Sequence, residues 1–166
     1  MNYKSPMGWN SWNTFGSHIN EKLIMEITDR LVSEGYQEAG YEYVIIDDCW
    51  SLRERVDGKL VADPELFPNG MKALADYVHS KGLKFGMYSC AGFKTCAGYP
   101  SSYGHEFEDA KQFAEWGVDY LKYDFCNFPE SGDAKNAYLT MAVALRNSGR
   151  KIFLAACNWG VQDPAK

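Results

Sequence analysis

Two segments of the sequence place charged residues where the surrounding residues are apolar. IIDDCW puts Asp47 and Asp48 at the end of one apolar run, and YLKYDFC puts Lys122 and Asp124 inside another. Adjacent carboxylates repel each other and are costly to bury unless they accept hydrogen bonds or share a cation. Such acceptor pairs suit the vicinal hydroxyls of a sugar or polyol. A divalent metal site ranks lower, because no further carboxylate cluster occurs at ligand spacing, and a turn or helix-cap role is the plainer alternative.

Lys122 and Asp124 are two residues apart, which matters if the segment is a strand. Alternate residues of a strand share a face, so both side chains would point the same way while Tyr123 points the other way. An ammonium group beside Asp124 would favour the ionised carboxylate. That state suits a nucleophile or a stabiliser of positive charge, and it does not suit a general acid. A structural ion pair explains the same spacing without any chemistry.

Large aromatic residues gather near the predicted strand ends. Core packing explains any single one of them best. Several at one rim favour a ligand with a flat apolar face, such as a pyranose. These residues are Trp9, Trp12, Trp50, Tyr88 and Trp159.

The elements that must position these residues alternate between short apolar runs and amphipathic stretches. Nearly continuous apolar strands separated by helices indicate a parallel sheet covered on both faces. Polar groups at the carboxyl end of strand after strand favour a parallel (β/α)8 TIM barrel, here its first five or so β/α units. A doubly wound sheet is the competing architecture, but WNSWNTFG is not the glycine-rich phosphate turn expected after its first strand. We predict strands at 7–11, 41–50, 83–90, 118–126 and 151–157, and helices at about 21–35, 70–81, 106–116 and 134–147.

Composition narrows the class of protein. The 166 residues, 46% of them hydrophobic, suffice for one domain, and a net charge of -5 with no basic run gives no footprint for nucleic acid or an anionic membrane. No apolar run approaches a membrane span. We expect a cytoplasmic protein as the sequence is written, or a secreted one if a leader was removed. The five cysteines show no metal-ligand spacing, so we expect no metal or cofactor.

Five motifs occur in a specific order along the chain: MGWNSW, IDDCW, KTC, LKYDFC and CNWG. Together they resemble the α-galactosidase (melibiase) family, glycoside hydrolase family 27. The resemblance implies a retaining exo-glycosidase that removes terminal α-linked D-galactose from oligosaccharides or glycoconjugates. It also implies a (β/α)8 barrel followed by a β-sandwich domain.

The resemblance also implies roles for individual residues. Asp124 corresponds to the catalytic nucleophile, and Cys96 and Cys126 correspond to cysteines that form a disulfide beside the site. Ser17 stands near the position of a cysteine that commonly pairs with the one matching Cys49, so we predict that Cys49 is unpaired. The implied substrate-binding residues are Trp12, Asp47, Asp48, Tyr88, Cys96, Lys122, Cys157, Asn158 and Trp159.

The family's acid/base aspartate follows strand six, which leads to an expectation about the whole chain. We expect residues 1–166 to be the amino-terminal portion of one catalytic domain, without the rest of the barrel or the β-sandwich, and to be inactive alone. An α-N-acetylgalactosaminidase is one alternative, although the bulky Asn158 favours a free 2-hydroxyl on the sugar. A non-catalytic half-barrel that self-associates through its open edges is another.

Overall fold

The computed structural model describes residues 5–162, and the structural statements below concern those residues; 1–4 and 163–166, which the domain prediction includes, lie outside them. Five strands alternate with helices along the chain. The strands are β1 (Gly8–Asn10), β2 (Tyr43–Ile45), β3 (Lys84–Cys90), β4 (Tyr120–Asp124) and β5 (Phe153–Cys157), and the helices are α1 (Trp12–Phe15), α2 (Glu21–Ser33), α3 (Gly70–Ser80), α4 (Glu106–Trp116) and α5 (Ala134–Asn147).

The strands form one parallel sheet in the order β1-β2-β3-β4-β5. A doubly wound sheet reverses its strand order at a switch point, and this sheet has no such reversal. Because parallel crossovers share one hand, strands added in sequence order place their helices on one side of the sheet. The result is a half-barrel that matches the first units of a (β/α)8 TIM barrel. The predicted fold class is therefore confirmed.

Helix boundaries follow local capping chemistry. Asn20 precedes α2 and accepts a hydrogen bond from the backbone N–H of Leu23 through its side chain, and Asp133 caps α5 by accepting from Asn136. Helix α4 ends at Trp116 and is capped by Gly117, which has a left-handed φ of 85°. The predicted bounds of α4 and α5 agree with the structure, whereas the short helix α1 was not predicted.

Strand β2 ends at Ile45, earlier than predicted, and the carboxylates that follow it explain why. The side chain of Asp47 accepts a hydrogen bond from the N–H of Asp48, and Asp48 accepts one from the N–H of Cys49. Cys49 adopts a left-handed φ of 74°. These local bonds take the place of ladder bonds, so the chain turns away from the sheet.

The core lies between the outer face of the sheet and the helices. Leu121 and Tyr123 of β4 are fully buried in it, as the strand alternation predicted, and they pack with Val44, Phe85 and Met87 of neighbouring strands. The opposite face of β4 carries Tyr120, Lys122 and Asp124 on the inside of the half-barrel. Among the described residues, no helix has both the length and the hydropathy of a membrane span.

Candidate active site

A cavity of about 280 Å³ opens at the carboxyl ends of the strands, inside the half-barrel. This is the end at which TIM barrels carry their sites. Every residue that lines the cavity is also a candidate site residue in the sequence. They are Trp12, Asp47, Asp48, Tyr88, Cys96, Lys122, Asp124, Cys157 and Trp159.

Asp47 is almost fully buried and is held by groups from two other strands. Its Oδ2 accepts from the Lys122 ammonium at 2.8 Å and from the Asn10 amide at 2.8 Å, while its own N–H donates to the hydroxyl of Ser11. The ion pair joins β4 to the segment after β2, with Asn10 contributed by the end of β1. A buried carboxylate with this set of donors is a fixed hydrogen-bond acceptor.

The partner of Lys122 corrects one expectation from the sequence. Lys122 was expected to accompany Asp124, but its ammonium pairs with Asp47 and lies over the ring of Tyr88, 5.2 Å from the centroid. Residues two apart on a strand share a face yet are separated by about 6.6 Å along it. The long lysine side chain therefore reaches sideways across β3 towards β2.

Asp48 is held by the loop that follows β3. Its Oδ2 accepts from the backbone N–H of Ala97 at 2.9 Å, and its Oδ1 accepts from the N–H of Cys49. Burial raises the pKa of Asp48, the hydrogen bonds from Ala97, Thr95 and Cys49 oppose that rise, and the charge of Asp47 adds to it. The two aspartates thus present acceptors at the floor of the cavity.

Asp124 lies at the end of β4 with its carboxylate directed into the cavity. Oδ2 accepts from the Tyr88 hydroxyl at 3.1 Å, and Oδ1 accepts from the Trp159 indole at 3.0 Å and from the N–H of Phe125. Burial, followed by the charges of Asp48 and Asp124, raises the pKa of Tyr88 far above its ordinary value. Tyr88 consequently stays a proton donor towards Asp124.

Sulfur atoms surround Asp124. Cys96 and Cys126 form a disulfide with their Cα atoms 5.0 Å apart, as the resemblance implied, whereas Cys49, Cys90 and Cys157 are free thiols. In the described part of the chain, the ligand atoms of Cys96, Asp124 and Cys126 lie within 4.8 Å of one another. Because disulfide sulfurs are not thiolates, this donor set does not fit a metal ion.

Asn158 is the predicted site residue that the structure places elsewhere. It lines a separate groove between α5 and β5, and its amide donates to the carbonyl of Val161. Cys157 faces the cavity, whereas Asn158 continues the face of Leu154 and Ala156, which line the same groove. The chain then turns at Trp159, whose left-handed φ of 55° accompanies the placement of its indole at the cavity.

Sequence reasoning missed the residues that hold the aspartates in place. Asn10 could have been assigned to the site, because it ends β1 as Asp47 follows β2. Nothing in the sequence around Ser11 indicates that its hydroxyl accepts from the N–H of Asp47. Ala97 acts through its backbone N–H, which is independent of its side chain and so invisible in the sequence.

Comparisons with known proteins agree with this geometry. A family model described as alpha galactosidase A matches residues 4–165. The chain is 52% identical to alpha-galactosidase A of Cellvibrio japonicus over 97% of its own length, and 56% identical to the alpha-galactosidase of Coffea arabica over 96%. It spans 40% and 43% of the lengths of those two proteins.

A solved structure shows the same fold. The alpha-galactosidase of Saccharomyces cerevisiae, determined with raffinose, superimposes with a TM-score of 0.89 at 48% identity, over 93% of this chain and 35% of the yeast chain. The family match covers nearly the whole sequence, and the motifs that it includes are the ones that line the cavity. The chain therefore belongs to the alpha-galactosidase A (melibiase) family of glycoside hydrolases.

Proposed function

We propose that this chain carries the nucleophile and the galactose-binding residues of a retaining exo-α-galactosidase. The observation that carries the proposal is the placement of Asp124, whose carboxylate lies in the same cavity as two fixed acceptors, Asp47 and Asp48, and a cation, Lys122. The yeast relative was determined with raffinose, which supports oligosaccharides that end in α-linked galactose as the substrates of this site.

Asp124 would act as the nucleophile. One carboxylate oxygen bonds to the anomeric carbon as the bond from that carbon to the glycosidic oxygen breaks, through an oxocarbenium-like transition state. The leaving oxygen takes a proton from a general acid, and water later hydrolyses the glycosyl ester. The hydrogen bonds from Tyr88 and Trp159 fix the orientation of the carboxylate before the attack.

Asp47, Asp48 and Lys122 would bind the sugar hydroxyls. Carboxylate oxygens accept from hydroxyl groups and an ammonium donates to a hydroxyl oxygen, so the three groups together read a pattern of adjacent hydroxyls. Trp12, which is 38% exposed at the rim of the cavity, offers an aromatic face to the C–H groups of the ring.

We further propose that the general acid is not among residues 5–162. Besides Asp124, the carboxylates that line the cavity are Asp47 and Asp48, and each of their oxygens already accepts a hydrogen bond from an N–H or ammonium donor. A general acid must instead offer a proton to the leaving group. The 166-residue chain by itself is therefore expected not to hydrolyse an alkyl α-galactoside.

Three measurements on the 166-residue chain test these proposals: sugar binding, fluoride release and hydrolysis of an alkyl α-galactoside. Calorimetric titration with D-galactose should show binding, and D-glucose, which differs only at C4, should bind more weakly. α-D-Galactosyl fluoride loses fluoride without needing a proton donor, so fluoride release should exceed that from Asp124→Asn. Equal release by both proteins would remove Asp124 from the nucleophile role, and wild-type hydrolysis of an alkyl galactoside would contradict the missing acid.

A further inference from the structure

Arg53, in the loop after β2, contacts the loop after β3 (residues 91–105) through two features of its guanidinium. The Nη1 group donates to the carbonyl of Ala97 at 3.2 Å, and the Cζ atom lies 3.8 Å from the centroid of the Tyr99 ring. The side chain therefore contacts both residues that flank Gly98, Ala97 and Tyr99. Gly98 itself has a left-handed φ of 82°, which marks a tight turn at this point.

The turn at residues 97–99 is the part of the loop that contacts Asp48. Ala97 accepts from Arg53 through its carbonyl and donates its N–H to Asp48 Oδ2 at 2.9 Å. The preceding residue, Cys96, lines the cavity and is tied to Cys126. A movement of Ala97 would thus displace the N–H group that donates to Asp48, a residue that lines the cavity.

Other contacts hold different parts of this loop. The Asn127 amide donates to the carbonyls of Lys94 and Thr95 on the side facing β4. Arg55 donates to the carbonyl of Ser101 at 2.6 Å and pairs with Asp109 of α4. On the side facing β2, Asp48 accepts from Ala97 and Thr95, and Cys49 shares a hydrogen bond with Tyr99. Arg53 adds the contact to the carbonyl of Ala97.

We propose that Arg53 is a positioning residue for galactose binding: by fixing Ala97, it holds the N–H that orients the Asp48 carboxylate in the cavity. The inference rests on the proposed function, because it assigns a purpose to a hydrogen bond of the proposed galactose site. Arg53 does not line the cavity itself. Its effect on the sugar passes through the backbone of Ala97.

The test follows the Ala97 amide in the full 166-residue chain by hydrogen exchange measured with NMR. Arg53 is exposed, so Arg53→Ala is expected to fold. The variant should speed exchange at Ala97 about tenfold and weaken D-galactose binding by about three- to tenfold, as loss of one hydrogen bond and a cation–π contact implies. In Arg53→Lys, the exchange rate at Ala97 and the galactose affinity should both lie between those of Arg53→Ala and wild type. Lys94→Ala is the matched control, since it removes another exposed positive charge from the region and should change neither quantity.

Each outcome decides a separate part of the inference. Unchanged exchange at Ala97 in Arg53→Ala overturns the contact between Arg53 and the turn. Faster exchange with unchanged galactose affinity overturns the link from Ala97 to sugar binding. If the wild-type chain binds no galactose, the proposed function fails, while the exchange rate at Ala97 still decides whether Arg53 fixes that amide.

Discussion

Asp48 is a buried carboxylate whose two oxygens accept from backbone N–H groups, and this environment affects its proton as well as its position. Asp47 differs, because Lys122 and Asn10 supply side-chain donors to it. At the scale of single residues, the two adjacent aspartates therefore have separate supports. Changing one support should leave the other largely intact.

The first prediction concerns pH and Asp48. Burial raises the pKa of Asp48 above its ordinary value of 3.8, so the native state holds this proton more tightly than the unfolded chain does. The contribution of Asp48 to the free energy of unfolding is then most favourable below 3.8 and decreases as pH rises through the native pKa. Urea unfolding across pH 3 to 7 should show wild type losing stability relative to Asp48→Asn as pH rises. A constant difference would contradict the raised pKa.

The second prediction concerns Lys122. Lys122→Met keeps much of the side-chain length but removes the ammonium, leaving Asp47 without its cation. Calorimetry should show D-galactose affinity lower by about 10- to 100-fold, the range for a hydrogen bond that involves a charged group. Lys151→Met, at an exposed lysine before β5, is the control and should bind as wild type does. Unchanged affinity in Lys122→Met would exclude Lys122 from the galactose site.

At the scale of elements, the loops after β2 and β3 depend on a buried ion pair that also involves α4. Arg55 donates to both oxygens of Asp109, which is 1% exposed, and to the carbonyl of Ser101. We expect the Arg55–Asp109 pair to stabilise the fold, whereas the nearby Arg53 contacts the turn at Ala97. Arg53 and Arg55, two residues apart in the loop after β2, thus contact different parts of the structure: Arg53 contacts Ala97, and Arg55 contacts Ser101 and Asp109.

The third prediction follows from that burial. Arg55→Ala leaves the Asp109 carboxylate buried without its cation, which should lower the free energy of unfolding by about 3 to 5 kcal/mol. Lys22→Ala breaks the exposed pair with Glu26, so it should cost less than about 1 kcal/mol. Chemical denaturation of both variants provides the comparison. Similar small losses in the two would mean that the Arg55 pair is not desolvated in solution.

The sequence predicted the elements and cavity-lining residues better than it predicted the contacts between them. Alternation in YLKYDFC correctly put Lys122 and Asp124 on one face. The pairing of Lys122 with Asp47 could not be predicted, because it depends on the distance between β4 and the segment after β2, with β3 between them. Asn158 lies on the groove between α5 and β5, on the face of Leu154 and Ala156, so its role in sugar binding stays a prediction. Ala97 and Arg53 could not be assigned, since their roles depend on the path of a loop.

At the scale of the whole molecule, the described sheet has two edges. Strand β1 pairs with β2 alone and β5 pairs with β4 alone within residues 5–162. Strand β5 is mostly apolar, and its Phe153 is 42% exposed. An unpaired apolar edge is a template for pairing with another chain. The assignment of residues 1–166 to one domain and the cellular location remain predictions.

The fourth prediction concerns self-association of the 166-residue chain through β5. Sedimentation velocity should show a sedimentation coefficient that rises with protein concentration. Ala156→Lys places a charge on the exposed face of β5 and should reduce this rise, whereas Val143→Lys, on the exposed face of α5, should not. A concentration-independent monomer would rule out assembly through this edge.

The free thiols described beside the disulfide have a consequence for how the folded protein withstands storage. Burial raises the pKa of Cys49 and of Cys90 to about 11. At neutral pH only about one in ten thousand of such thiols is the thiolate that attacks a disulfide. Cys90, whose Sγ donates to the carbonyl of Cys126, is therefore a close but unreactive neighbour. Burial also raises the pKa of Cys157, the third free thiol. In the folded chain, the Cys96–Cys126 bond should therefore keep its pairing without scrambling.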